Sequence, residues 1–190
     1  MPTRVINPTK PASGWKSPSA WSLVLVAAAC GGGGSFGNGA SAQEVQEVDP
    51  CTLITATEIE EVVGQPPGEP VRKALGTSFF ECRWPSADGS EHQLAHVAFR
   101  PARAPATYEE WVRQYKAGMG DDFEESDLDA YQRIDGLGDY ALFLDGGSLG
   151  GSLQVYDRER MLQVDTAAVP GASNLDLALA LGRKAVERLP

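Results

Sequence analysis

Three short runs decide the fold: Tyr140-Ala141-Leu142-Phe143-Leu144, Ser152-Leu153-Gln154-Val155-Tyr156 and Met161-Leu162-Gln163-Val164-Asp165. Each is five residues long and rich in apolar, branched or aromatic side chains. Between them lie Asp145 to Gly151, with four glycines, and Asp157-Arg158-Glu159-Arg160, both turn signals. Strand-length runs separated by such turns predict a three-stranded antiparallel meander. Upstream, Ser78 to Trp84 and Gln93 to Phe99 flank the turn Ala87-Asp88-Gly89-Ser90 and predict a hairpin.

Helices separate these sheets. Thr55 with Glu58 is a capping box, Ile59, Val62 and Val63 follow at helical spacing, and Gly64 is a stop, so residues 55–63 predict a short helix closed by Pro66-Pro67-Gly68. Thr107 with Glu110 is a second capping box, with Trp111, Val112 and Tyr115 on one face up to Gly118. Asn174 is the expected N-cap of a last helix to Leu189, with Leu175, Leu177, Ala178, Leu181, Ala185 and Leu189 in period. The order is helix, hairpin, helix, meander, helix. It predicts one α+β domain over residues 49–190, an antiparallel sheet with helices packed on one face. The similar order of elements in the two halves suggests a pseudo-repeat.

The N-terminus has a different character. No Asp or Glu precedes Cys30; Arg4, Lys10 and Lys16 lead into the apolar run from Ala20 to Ala29. A basic stretch followed by a run too short to span a bilayer predicts a signal peptide over residues 1–29. Ala27-Ala28-Ala29-Cys30 resembles a bacterial lipobox, with Ala27 where Leu is usual, and makes Cys30 the expected lipidation site. Gly31 in place of Asp after the cysteine, by resemblance to Gram-negative lipoproteins, does not favour retention at the inner membrane. The competing site is Ala40-Ser41-Ala42 before Gln43, which would release a secreted protein. Residues 30–48 predict a Gly/Ser-rich flexible linker whose ends sit about 25 Å apart. The expected location is therefore outside the cytoplasm, at a cell membrane or outer membrane.

After Cys30 the chain holds 13 basic and 26 acidic residues, a net of −13. That excludes nucleic acid as a natural partner, because binding it requires Lys and Arg against phosphates. Of three cysteines, acylation of Cys30 leaves Cys51 and Cys82, which predict a disulfide in an oxidising compartment. Its loop would contribute about 3–4 kcal/mol. Two separate buried thiols are the alternative, and a zinc site lacks a second ligand pair.

Four motifs could carry chemistry. Gly146-Gly147-Ser148-Leu149-Gly150 matches the nucleophile-elbow pattern, which needs strand, turn, then helix; here a strand follows and both histidines precede the serine, so a turn is expected. His92 and His96 would chelate a metal on a helix, but on a strand they stand about 13 Å apart, too far for one ion. They are expected as polar residues on a half-exposed strand face. Asp121, Asp122, Glu124, Glu125, Asp127 and Asp129 form an acidic loop without EF-hand spacing, so a solvated loop is expected, with calcium the best metal candidate. Gly136-Leu137-Gly138 opens a strand rather than a helix and cannot hold phosphate as a helix N-terminus does. Phe79, Trp84, Phe99 and Trp111 are expected in the core. These readings assign no catalytic residue and no cofactor.

Asp49-Pro50-Cys51-Thr52-Leu53-Ile54-Thr55, with Glu58-Ile59 and Gly64, resembles the opening of a family of bacterial lipoproteins of unknown function, common in actinobacteria. Cys82 with Trp84, and Gly136, Gly138, Asp139 and Ala141, match further features of that family, so the resemblance spans residues 49–189. It implies a lipid-anchored envelope domain of a shape similar to PsbP-like or cystatin-like sheets, which usually bind. The expected function is non-enzymatic binding of a protein, peptide or small envelope ligand, with the membrane a partner through the anchor. An envelope hydrolase using Ser148 or carboxylates, or a structural envelope component, are the alternatives.

Overall fold

The computed structural model describes residues 48–74, 79–90 and 92–190. The export segment, Cys30, the linker through residue 47 and the cleavage site before Gln43 lie outside them. Val48, the expected last linker residue, is buried in the core, so the folded domain begins by that residue.

The chain forms α1 (Ala56–Val63), β1 (Val71–Ala74), β2 (Phe80–Pro85), β3 (Gln93–Arg100), α2 (Tyr108–Met119), β4 (Tyr131–Ile134), β5 (Tyr140–Asp145), β6 (Gly151–Asp157), β7 (Arg160–Thr166) and α3 (Asn174–Glu187). All seven strands join one antiparallel sheet in the order β1-β2-β3-β7-β6-β5-β4. The expected hairpin is β2–β3 and the expected meander is β5–β6–β7; β3 pairs with β7 and merges them. The edge strands β1 and β4 add to the expected five. Both are four residues long, and β1 is exposed throughout, so neither carries the apolar alternation that marks a strand in sequence.

Local chemistry explains the boundaries. The Thr55 hydroxyl accepts from the Glu58 N–H and the Glu58 carboxylate accepts from the Thr55 N–H, completing the capping box of α1, and Gly64 closes it at φ +76°. At α2 the box is half built: Thr107 caps Glu110, but the Glu110 carboxylate accepts from Ala106. Ser173, not Asn174, caps α3. Arg158 and Glu159 make the two-residue β6–β7 turn at positive φ, and the Asp139 carboxylate accepts from the Arg158 N–H at 2.8 Å. Gly138 must be glycine: it has φ +63°, and a Cβ there would lie 2.5 Å from the Tyr156 carbonyl oxygen.

Strand alternation gives the sheet two unlike faces. On one, Trp84, Val97, Phe99, Ala141, Phe143, Leu153, Val155, Leu162 and Val164 pack with Ile59 and Val63 of α1 and Ala178, Leu181 and Ala185 of α3. On the other, Tyr140, Leu142, Tyr156 and Met161 pack with Trp111 of α2. The expectation that the helices share one face is therefore corrected: α2 lies opposite α1 and α3. Its aromatic stripe requires this, because Trp111 meets Tyr131 edge-on at 4.9 Å on the face that β5 turns away from α3. Cys51 and Cys82 are joined by a disulfide with Cα atoms 5.1 Å apart, tying the turn at Pro50–Thr52 to β2.

Candidate functional site

The face that carries α2 is not apolar across its width. Register aligns Arg83 (β2), His96 (β3), Asp165 (β7) and Ser152 (β6) in one cross-strand row. The next row brings Glu81, Ala98, Gln163 and Gln154 together. A polar band thus crosses β2, β3, β7 and β6 beside the aromatic half under α2.

At its centre the His96 ring lies between two carboxylates. Nδ1 is 2.7 Å from Asp165 Oδ2, and Nε2 is 3.5 Å from Glu81 Oε2. Glu81 is only 2% exposed. Arg83 Nη2 stands 3.2 Å from its Oε1 and donates to Oε2 at 3.3 Å. Glu81 Oε1 is buried with only this ion pair to Arg83, and His96 Nε2 is buried with no hydrogen-bond partner. Buried polar atoms without partners carry a desolvation cost of about 1–3 kcal/mol each, so this cluster is a costly feature to keep in a sheet.

Asp165 connects the cluster to solvent. Burial pushes its carboxyl up, but hydrogen bonds from His96, Ser152 and Gln163 outweigh that and hold it below the ordinary aspartate value. Gln163 Nε2 donates to both of its oxygens at 3.0 Å. Asp165, Ser152 and Gln163 line an open cleft of about 260 Å³ together with Leu144, Leu149 and the glycines of the β5–β6 turn. Leu149 is 86% exposed at the rim. A second cleft, of about 220 Å³, lies beside α2 and is lined by Arg100, Gln114, Trp111, Tyr115, Tyr156 and Met161. Burial raises the Tyr156 phenol to about 12, so its hydroxyl stays protonated and donates to Gln154 Oε1.

The residues singled out in sequence fall as follows. His96 is not on a half-exposed face; it is buried, while His92 is exposed just before β3, and the two share no site. Ser148 sits exposed in a 3-10 turn, Gly147–Leu149, that leads into β6 rather than a helix. The acidic residues do not converge on a cation. Asp121 and Asp122 lie in one short 3-10 turn and Glu125 to Ala130 form another. Asp127 accepts from the Glu124 N–H at 2.8 Å, and Glu125 pairs with Lys116 at 2.6 Å. Among the described residues no group of three or more His, Cys, Asp or Glu side chains is placed to hold a metal. Trp84, Phe99 and Trp111 are core residues, and Phe79 packs at the edge of the aromatic cluster.

Glu81, Asp165, Ser152 and Gln163 are not marked by any motif. Their one signal is polar residues at period two, Glu81/Arg83, Ser152/Gln154 and Gln163/Asp165, in otherwise apolar strands. No protein-family model matches this sequence, and no curated protein is significantly similar to it.

Proposed function

We propose that this chain is a cell-envelope lipoprotein, anchored through acylated Cys30, whose folded part binds a ligand outside the cytoplasm and is not an enzyme. The acid-free, apolar N-terminus ending at Cys30 supports the anchor. The Cys51–Cys82 disulfide fits an oxidising compartment. The resemblance to the lipoproteins that open with Asp-Pro-Cys belongs to the same reading. So does a pseudo-repeat of elements, helix then meander, with α1-β1-β2-β3 followed by α2-β4-β5-β6-β7.

One observation carries the binding reading. Asp165 is held by three side-chain donors in an open cleft whose rim presents Leu149 to solvent. A carboxylate oriented from behind, beside exposed apolar surface, is how a binding site combines specificity with contact area. The elements of a hydrolytic centre are not assembled around Ser148, which lies in a turn between strands.

Two measurements test this. Intact mass from a membrane fraction is expected to begin at a diacylated or triacylated Cys30, with two thiols released only on reduction; a mass beginning at Gln43 would replace the anchor with secretion. Amide-shift titrations of the full chain with a panel of small cationic, anionic, sugar and apolar probes are expected to give saturable shifts confined to Leu144–Ser152 and Gln163–Thr166. Ester or amide hydrolysis abolished by Ser148→Ala would overturn the non-enzymatic reading.

A further inference from the structure

We infer that the Asp165 cleft takes an alkyl ammonium group, such as a lysine side chain, and that His96 and Glu81 behind it regulate its affinity by holding or releasing one shared proton. This rests on the reading that the cleft binds a ligand, and deepens it to a ligand class and a control.

The ligand class follows from the cleft. Leu144, Leu149 and the glycine backbone of the turn offer apolar contact to an alkyl stem, while Asp165 offers the charge that an ammonium seeks. The chain's net charge of −10 draws cations and repels anions.

The control follows from counting donors around His96. A neutral imidazole has one N–H and one lone pair. Nδ1, 2.7 Å from a carboxylate oxygen, must be the donor. Nε2 then presents its lone pair to Glu81 Oε2 at 3.5 Å, and if Glu81 is ionised two acceptors face each other, both buried. One further proton, on Nε2 or on Glu81, converts that opposition into a hydrogen bond. The proton then belongs to the pair rather than to either residue. The charged groups facing the ring are Glu81 and Arg83 from β2 and Asp165 from β7, with Lys73 of β1 in register with Glu81 and the neutral Ser152 beyond on β6. Arg83 is half-exposed and already engaged with Glu81, so it compensates only part of the negative charge.

A proton on the pair makes the surroundings of Asp165 less negative and weakens its pull on an ammonium in the cleft. Release of that proton restores the pull. Affinity for the cation therefore rises with pH, and the bound cation reciprocally favours proton release.

The test uses the full-length chain in detergent, titrated with three probes: acetyl-Gly-Lys-Gly-amide, its norleucine counterpart, and n-butylammonium. The lysine peptide is expected to saturate the cleft and the norleucine peptide is not. Butylammonium binding as tightly as the peptide would identify a free amine as the source; peptide binding alone would identify a polypeptide. Between about pH 5.5 and about pH 8 the affinity should rise by about tenfold, the size of an ordinary coupling between sites. In His96→Gln and, independently, in Glu81→Gln the pH dependence should vanish. If His96→Gln does not fold, Glu81→Gln carries the test, since its amide can donate to Nε2 with no proton to share. Ammonium binding that stays pH-independent in the wild type overturns the proton control and leaves the binding reading intact. Saturation by a different probe class overturns the ligand class alone. A cleft that no probe saturates overturns the binding reading and this inference together.

Discussion

The two faces of this sheet are built from the same strands and obey different rules. On the face under α1 and α3, Trp84, Phe99, Leu153 and Leu162 pack in one apolar cluster, and the requirement is volume. On the opposite face, apolar packing under α2 gives way within one sheet to Glu81, His96, Asp165, Gln163 and Ser152, where the requirement is a partner for each polar atom. A volume requirement can be met by many side chains, whereas a partner requirement ties each residue to one neighbour at one register. The first face therefore explains why the chain folds, and the second carries the proposed binding site.

Substitutions should separate the two faces by size and by kind. The largest loss is expected from Trp84→Ala, since Trp84 is 1% exposed and one of the largest fully buried side chains; chemical denaturation should show about 3–5 kcal/mol of destabilisation. That loss should be nearly independent of pH, because nothing ionisable is removed. Glu81→Ala should cost less, about 1–3 kcal/mol, by leaving Arg83 without its acceptor. Equal losses at both positions would mean that the polar face is ordinary packing, and the comparison would fail.

Sequence made the first face legible and the second nearly invisible. Helical spacing in α1 and α3, two capping boxes and the apolar runs of β2, β3, β5, β6 and β7 are local signals, and each found its element. The pairing of β3 with β7 is not local. Without it, His96 and Asp165, 69 residues apart, have no reason to be read together, and His96 is only a polar residue on a strand. The placement of α2 on the far face was hidden for the same reason, because an amphipathic stripe states that a face will be buried but not against which side of a sheet. Edge strands β1 and β4 escaped because exposed four-residue strands lack the alternation that sequence reading depends on.

The smallest of these effects lies at the rim of the apolar face and gives it a pH signature of its own. Glu58 of α1 accepts from both terminal nitrogens of Arg188, beyond the end of α3, at 2.7 and 2.8 Å, and from the Thr55 N–H at 2.9 Å; Lys184 Nζ is 3.3 Å away. The Arg188 hydrogen bonds are the main reason its carboxyl lies far below the ordinary glutamate value; burial opposes them, and Thr55 and Lys184 add to them. A carboxylate depressed on folding contributes stability that is present above its unfolded value and is lost as pH falls through the acid range. Glu58→Gln should therefore cost about 1–2 kcal/mol at neutral pH, within the range for hydrogen bonds to charged groups, and the cost should shrink as both proteins are taken below about pH 4. The pH dependence of ammonium binding proposed for the Asp165 cleft should be untouched by this change. If Glu58→Gln altered that binding as well, the two faces would be electrostatically coupled through the sheet, and the division between a face for folding and a face for function would have to be given up.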